Sequence, residues 1–338
     1  FDLTGLPPTP NEVMAFEKEY ASFTCSKHAI GISNGTVSLL VALMALGCKP
    51  SSKVIVPANS FIATAEAVSI LGAEILFVDV HWDTCLIDFD SIPESYLEEA
   101  DFIIPVHLYG QMVDMKKCSI LAEKYEIQII EDAAQAHLAT FDDYQPGHFS
   151  KFASYSFYPG KNLGAWGDAG ALTTNDSALS TIACEIANHG SKKKYHHVRI
   201  GGNFRIPELQ AAVLLEKLKL ITEFTEKRRK IASIYLSEIN NKKIELPVVQ
   251  DSAEHSWHLF VIKCKNRDEL SDYLSSKSIS TSLHYPTPLH ETEAYRDYYK
   301  DVNFNVSSNL AKNILSLPMF PMMTDEQIEK VISSINNY

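Results

Sequence analysis

Three short stretches of this chain place reactive side chains where backbone of the right kind can present them. In Ile129-Ile130-Glu131-Asp132-Ala133-Ala134-Gln135 an apolar run passes directly into carboxylates and then into small residues. An acid in that position sits at the carboxyl end of a strand; Asp is also a preferred helix N-cap, so both uses stay open. In Ser154-Tyr155-Ser156-Phe157-Tyr158-Pro159-Gly160-Lys161-Asn162-Leu163-Gly164 a second run stops at a Pro-Gly break and presents one lysine, Lys161, with Ser156 ahead of it. A lysine held in a cleft loses hydration, its pKa falls, and the neutral amine becomes available to attack a carbonyl. A lysine beside Gly and Pro is also ordinary surface-loop content. In Ile32-Ser33-Asn34-Gly35-Thr36 a turn of small residues opens a helix. The free N–H groups there, with the Thr36 hydroxyl, suit a phosphate as well as they suit a plain cap.

The elements that must position these groups follow from the pattern of apolar residues. Val54–Val56, Ile75–Val78, Phe102–Val106, Ile127–Ile130 and Ser154–Phe157 read as buried strands, and Thr36–Leu46, Ala63–Leu71 and Met115–Tyr125 between them read as helices. Strand and helix in alternation imply an α/β layer on a mostly parallel sheet, whose ligands bind beyond the carboxyl ends of the strands. After about residue 175 the pattern changes. Ala178–Asn188 and Glu208–Leu236 read as helical, Trp257–Lys263 and Ile279–His284 as strands, and Arg267–Ser275 and Asp325–Ile335 as helices. At 338 residues the chain has the length of about two domains of ~150 residues each. The division expected is a large α/β domain over 1–230 and a small α+β domain over 231–338. An anion cradle, an acid and a lysine at the ligand edge of one sheet form the set that pyridoxal 5'-phosphate requires.

Composition narrows the partners. Forty-two acidic against thirty basic residues leave a formal charge of −12, a field that repels nucleic acid and anionic lipid, so neither is expected as a partner. The longest apolar run, near Ser38–Gly47, is about half of the ~20 residues that span a bilayer. The six cysteines, at 25, 48, 85, 118, 184 and 264, are dispersed without a C-x-x-C pair, which favours reduced thiols in a cytoplasmic protein over a zinc ribbon or redox dithiol. His255 and His258 lie in an expected strand, where a spacing of three points them to opposite faces, so no metal is assigned. The chain begins Phe1-Asp2-Leu3-Thr4 without an initiator methionine or a signal-peptide pattern, and a truncated or divergent start is expected.

The stretch SFYPGKNLGAWGDAGALTTND, preceded by IIEDAAQAH and followed by HGSKKKYHH, GGNFRIPELQAA and LHYPTPLH, resembles the sugar-nucleotide aminotransferases of the DegT/DnrJ/StrS family, with motifs in the family's order from about Ala15 to the C-terminus. The resemblance implies the fold type I aminotransferase architecture: a mostly parallel, seven-stranded type of sheet with helices on both faces, a smaller α+β domain, and a homodimer with shared active sites. By motif position Lys161 matches the lysine that bonds to the cofactor aldehyde, and Asp132 the acid paired with the pyridine nitrogen. Gln135 matches the residue beside the phenolic oxygen, and Phe61 the aromatic on the ring face. Ser156, Gly35 and Thr36 match the phosphate cradle, and Asn203 an asparagine supplied to that phosphate by the partner subunit. The implied reaction is transamination, with glutamate giving its amine and a nucleotide-linked ketosugar receiving it.

The Tyr-Pro-Gly-Lys-Asn-Leu-Gly form of the lysine motif, with His284-Tyr285-Pro286, is more similar to the family's 3-ketosugar branch than to its 4-ketosugar branch. That implies a dTDP-linked 3-amino-3,6-dideoxyhexose as product, with Tyr158, His284 and Tyr285 as contacts to the hexose; packing and backbone satisfaction are the plain uses of the same three residues. The basic run Lys192–His197 reads as a solvated loop, with an approach to the nucleotide pyrophosphate as its other use. Several positions depart from the family pattern: His148 and Ser150-Lys151 in the loop after His137, Phe204 and Pro207 near Asn203, and Asp2–Pro10. Related dehydratases carry histidine in place of the lysine, so Lys161 argues against dehydration. The set of Lys161, Asp132, Gln135 and Ser156 argues against a non-catalytic PLP-binding regulator. No G-x-G-x-x-G follows an expected strand, which argues against a nicotinamide-dependent oxidoreductase.

Overall fold

A computed structural model describes residues 11–338, so the expectation for Asp2–Pro10 lies outside the described residues. Seven strands form the main sheet: β1 (His28–Ile32), β2 (Lys53–Pro57), β3 (Glu74–Val78), β4 (Phe102–Ile103), β5 (Gln128–Asp132), β6 (Phe152–Ser156) and β7 (Gly170–Thr174). Their order is β1-β7-β6-β5-β4-β2-β3. Strands β2 to β6 pair in parallel, while β7 runs antiparallel to both β6 and β1. Strand β1 therefore points the same way as β6, and six of the seven strands end on one edge.

Alternation along each strand sends side chains into two cores. Val54, Val56, Phe77, Ile130, Phe152 and Leu172 face one layer. That layer is built by α2 (Gly35–Ala45), α3 (Ala63–Ile70) and, beyond α4 (Glu94–Glu99) and α5 (Met115–Lys124), by α6 (Ser177–Ala187). Ile55, Leu76, Ile129, Ala153, Tyr155 and Ala171 face the other, which is built by α1 (Asn11–Phe23), α5 and α7 (Glu208–Leu218). Within this layer Tyr20 meets the rings of Tyr155 and Phe157 edge-on, at 5.3 and 5.1 Å between centroids. Burial on both faces is why these strands read as near-continuous apolar runs.

The expected single helix over 208–236 is two, α7 and α8 (Ile221–Glu238), separated at Lys219-Leu220. Helix α8 joins the cores: Ile221 belongs to the sheet's core and Ile231, Ala232 and Tyr235 to a third one. That third core lies under a three-stranded antiparallel sheet of β8 (Ile244–Glu245), β9 (Phe260–Cys264) and β10 (Ile314–Leu317), with β9 central. Packed with it are α9 (Arg267–Ser276) and, after α10 (Asn305–Asn313), the helix α11 (Asp325–Asn336), which opens on a reciprocal capping box between Thr324 and Gln327. Among the described residues no helix is long and apolar enough to cross a membrane.

Three strand expectations change. The run Phe102–Val106 pairs as a strand only over Phe102–Ile103, with one further bridge from Val106 to Asp132. Trp257 lies outside β9 because its φ is +49°, a left-handed conformation that interrupts an extended chain. His255 and His258 are therefore in a loop, and both are buried. The segment 279–284 is no strand; it touches β10 through a single bridge, Ser282 to Ser316, so the His284-Tyr285 pair sits on an irregular segment.

One glycine fixes how closely α2 approaches the sheet. A Cβ on Gly170 would lie 2.6 Å from the carbonyl carbon of Asn34 and 2.8 Å from the carbonyl oxygen of Tyr155, and neither backbone group can swing away. Gly170→Ala is expected to lower stability by about 1–3 kcal/mol, read by urea unfolding of the cofactor-free protein. An unchanged midpoint would show that the helix start has room to move.

Candidate active site

The edge where β1, β2, β5 and β6 end opens into a cavity of about 810 Å³. Its lining includes Gly35, Thr36, Phe61, Asp132, Gln135, Ser156, Tyr158, Lys161, His284 and Tyr285, ten of the eleven residues singled out in the sequence. Asn203 is the exception: it is exposed and pairs with Asn188 outside the cavity. Most of the convergence has a simple origin, since the motifs around Gly35, Phe61, Asp132 and Lys161 follow strands that end on this edge, while His284 and Tyr285 arrive on the irregular segment beside β10.

Asp132 closes β5 and is 6% exposed. Its Oδ2 accepts from the Thr64 hydroxyl at 2.8 Å and its Oδ1 from the Ala134 amide at 3.2 Å. Burial pushes its pKa up, while those two donors and the charge of Lys161 oppose the rise. Thr64 in turn shares a 2.8 Å bond with Ser60. The single Thr64 proton is committed to Asp132, so Ser60 is the donor in that pair. Neither hydroxyl was singled out in the sequence, although Ser60 and Thr64 flank Phe61 at a helical spacing that a carboxylate-directed search would catch.

Lys161 lies on the turn after β6, its amide bonded to the Tyr158 carbonyl at 2.8 Å. Burial brings its pKa down to about 8, against an upward pull from Asp132. Helix α2 begins with Asn34 as N-cap, its side chain accepting from Val37 at 2.9 Å. The first backbone bond of the helix runs from Ser38 to Asn34, so the amides of Gly35 and Thr36 precede the helical ladder. A Cβ on Gly35 would stand 2.8 Å from the Ser156 Cβ, so any side chain there would fill the space between the helix start and Ser156. An anion cradle, a buried carboxylate and a desolvated lysine facing one cavity fit the phosphate, ring nitrogen and aldehyde of pyridoxal phosphate.

Aromatic and amide groups complete the wall. Phe61, 52% exposed to the cavity, stands 5.7 Å from the Tyr285 ring. Gln135 accepts from the Tyr109 amide at 2.7 Å and donates to the Tyr285 hydroxyl at 3.0 Å. His284 is held by Ser316 at 2.8 Å, and its carbonyl accepts from the Tyr109 hydroxyl. Behind Asp132, Glu131 points to the other face of β5 and binds His107 at 2.7 Å, with both side chains fully buried. Glu131 also accepts from Gly147 at 2.9 Å and Ser150 at 2.6 Å. The loop that departs from the family pattern is thus tied directly behind the acid. Asp168 and His258 also line the cavity, and the sequence reading had not assigned either to it.

Residues 8–336 match the DegT/DnrJ/EryC1/StrS aminotransferase family, and the chain belongs to it. The dTDP-3-amino-3,6-dideoxy-alpha-D-galactopyranose transaminase of Aneurinibacillus thermoaerophilus is 40% identical over 97% of this chain and 90% of its own length. The UDP-2-acetamido-2-deoxy-3-oxo-D-glucuronate aminotransferase of Pseudomonas aeruginosa is 35% identical over 96% of this chain and 90% of its own. Among solved structures, S. venezuelae DesV in complex with a ketimine intermediate superposes with a TM-score of 0.95 at 36% identity, covering 98% of this chain and 90% of that one. The seven-stranded, mostly parallel sheet and the family membership agree with the sequence reading.

The depressed pKa of Lys161 has a direct readout. Competitive acetylation of the cofactor-free protein is expected to label Lys161 with a midpoint near pH 8, while exposed lysines label only as pH approaches about 10.4. The amine is protonated below that midpoint and reactive above it. A Lys161 profile that coincides with the surface lysines would refute the desolvated state.

Proposed function

We propose that this protein moves an amino group from glutamate to the 3-keto carbon of a dTDP-linked 6-deoxyhexose, working as a cytoplasmic homodimer with pyridoxal phosphate as cofactor. The observation that carries the reading is the meeting of Lys161, Asp132 and the Gly35–Thr36 helix start in one cavity. When bound, pyridoxal phosphate supplies an aldehyde that exchanges amines and a ring that acts as an electron sink. The amides of Gly35 and Thr36 and the Ser156 hydroxyl hold its phosphate. Asp132 keeps a proton on the pyridine nitrogen, with Thr64 and Ala134 aiming its carboxylate. Phe61 covers one ring face, and Gln135 is assigned to the phenolic oxygen. Lys161 first anchors the cofactor; as a free amine it takes the proton from the α-carbon of glutamate and later delivers one to C3 of the sugar.

The position of amination is supported by the names of the two curated relatives, which give a 3-amino product and a 3-oxo substrate. Their nucleotides differ, and dTDP follows the one with the higher identity. Tyr158, His284 and Tyr285 are the proposed hexose contacts, because all three line the cavity beside Lys161 and match the family's motif positions. The homodimer is supported by Asn203, which is exposed away from its own cavity, and by exposed apolar residues: Trp166 at 76%, Tyr195 at 85% and Ile200 at 86%. A second copy seated over such residues would take their apolar area out of water. The division into a cofactor-binding unit over 1–230 and a covering unit over 231–338 belongs to the same proposal.

Absorbance of the purified protein with pyridoxal phosphate tests the reading. Glutamate is expected to convert the pyridoxal band to the pyridoxamine band in the wild type and to leave Lys161→Ala unchanged. Asp132→Asn is expected to slow the conversion by about 10²-fold or more. A wild type that binds the cofactor and ignores glutamate would overturn the aminotransferase assignment.

A further inference from the structure

His258 is the one buried histidine lining the cavity for which the reaction above gives no task. Its Nδ1 lies 3.2 Å from Oδ1 of Asn162, the residue after Lys161. The Asn162 side-chain orientation is fixed by its other end, because Nδ2 donates to the Ser256 carbonyl at 3.0 Å and a carbonyl only accepts. Oδ1 is then the atom facing the imidazole and needs a proton from it. The ring must carry hydrogen on Nδ1. Burial and the positive charges of Lys161 and Arg228, with His137 and His284 nearby, push its pKa far down, so the second nitrogen is bare. No protein group among the described residues bonds Nε2, and it is absent from the buried atoms that lack a partner. The loop that carries the ring is fixed as well: Arg228 on α8 donates to the carbonyls of Trp257, His258 and Met319 at 3.1, 3.2 and 2.9 Å.

A bare imidazole nitrogen discriminates among the groups of the two substrates. It repels carboxylates, phosphates and ketone oxygens, which are acceptors, and binds only a donor. We infer that His258, held as the Nδ1–H tautomer by Asn162, accepts a hydrogen bond from a hydroxyl of the hexose beside the carbon that receives the amine. The inference rests on the proposed function, since it presumes a hexose in this cavity. It makes His258 a specificity residue for the sugar half of the reaction, and Asn162 the residue that positions it. On the amino donor the competing group is the ammonium of glutamate, and the experiment separates the two.

Both amines can be offered to the same pyridoxal form of the enzyme and read by the same band. Single-turnover conversion is measured with glutamate and with dTDP-3-amino-3,6-dideoxygalactose, the sugar reaction run in reverse. For His258→Leu the specificity constant for the amino sugar is expected to fall roughly 10–100-fold further than that for glutamate. Asn162→Asp keeps an acceptor at Oδ1 and gives it a negative charge that favours a doubly protonated ring, so Nε2 becomes a donor. It is expected to shift the ratio in the same direction while the ring and its packing stay in place. Cofactor absorbance and thermal unfolding identify any variant that has failed to fold, and Asn162→Asp then carries the test alone. Equal losses for both amines, or a larger loss for glutamate, would overturn the inference. A wild type that responds to glutamate and not to the amino sugar would overturn the sugar assignment and this inference together. A wild type silent to both would overturn the aminotransferase reading itself.

Discussion

A carboxylate taken out of water at the end of a central strand is the constraint around which this molecule is organised. Asp132 keeps 6% of its surface, so its charge must be met by donors built into the fold. They arrive from separate directions: Thr64 from the helix after β2, the Ala134 amide from the turn after β5, and the Lys161 charge from the turn after β6. For those turns to meet, β2, β5 and β6 must run in parallel and end together. Parallel strands need crossover connections, which here are helices that build the two flanking cores, except between β5 and β6, where the loop 133–151 makes the crossing. The electrostatics of one side chain and the layering of the whole domain are aspects of a single arrangement.

That connection explains what could be read from the residues. The motifs around Asp132 and Lys161 were legible because each joins an expected strand to a break, and the ligand edge of an α/β sheet collects such junctions. Gly35 was legible as a turn of small residues opening a helix, whereas Phe61 entered only through the family resemblance. Strands β1 and β7 were not read. His-Ala-Ile-Gly-Ile and Gly-Ala-Leu-Thr-Thr carry glycines that weaken strand propensity, and those glycines answer long-range demands, such as Gly170 yielding to the start of α2. The irregular segment before Tyr285 was misread as a strand because its alternation is real, while pairing there is limited to one bridge. His258 was set aside on strand geometry. The left-handed Trp257 immediately before it removed that geometry, and a single unfavourable φ leaves little trace in sequence.

The buried pair of His107 and Glu131 shows how a local departure from a family pattern is absorbed. His107 accepts the Val113 amide on Nδ1 at 3.2 Å, so its other nitrogen carries the proton and donates to Glu131. Glu131 spends its second oxygen on Gly147 and Ser150, within the loop whose sequence is unusual. Ser150 supplies a hydroxyl where the usual motif differs, and the carboxylate behind Asp132 remains satisfied. The unusual loop thus finds its own way of supporting the strand that carries the acid.

Floor and wall of the cavity come from different parts of the chain. The groups assigned to the cofactor stand on turns of the seven-stranded sheet, whereas His258, His284 and Tyr285 come from loops around the three-stranded one. Arg228 fastens the first of those loops from a helix whose residues enter both cores. This separation gives evolution two dials, joined where Tyr285 meets Gln135 and Phe61. On the proposed assignments, drift in the loops that flank β9 and β10 would reshape the wall that meets the sugar while leaving the turns assigned to the cofactor in place, so one scaffold could diversify its products without rebuilding its chemistry.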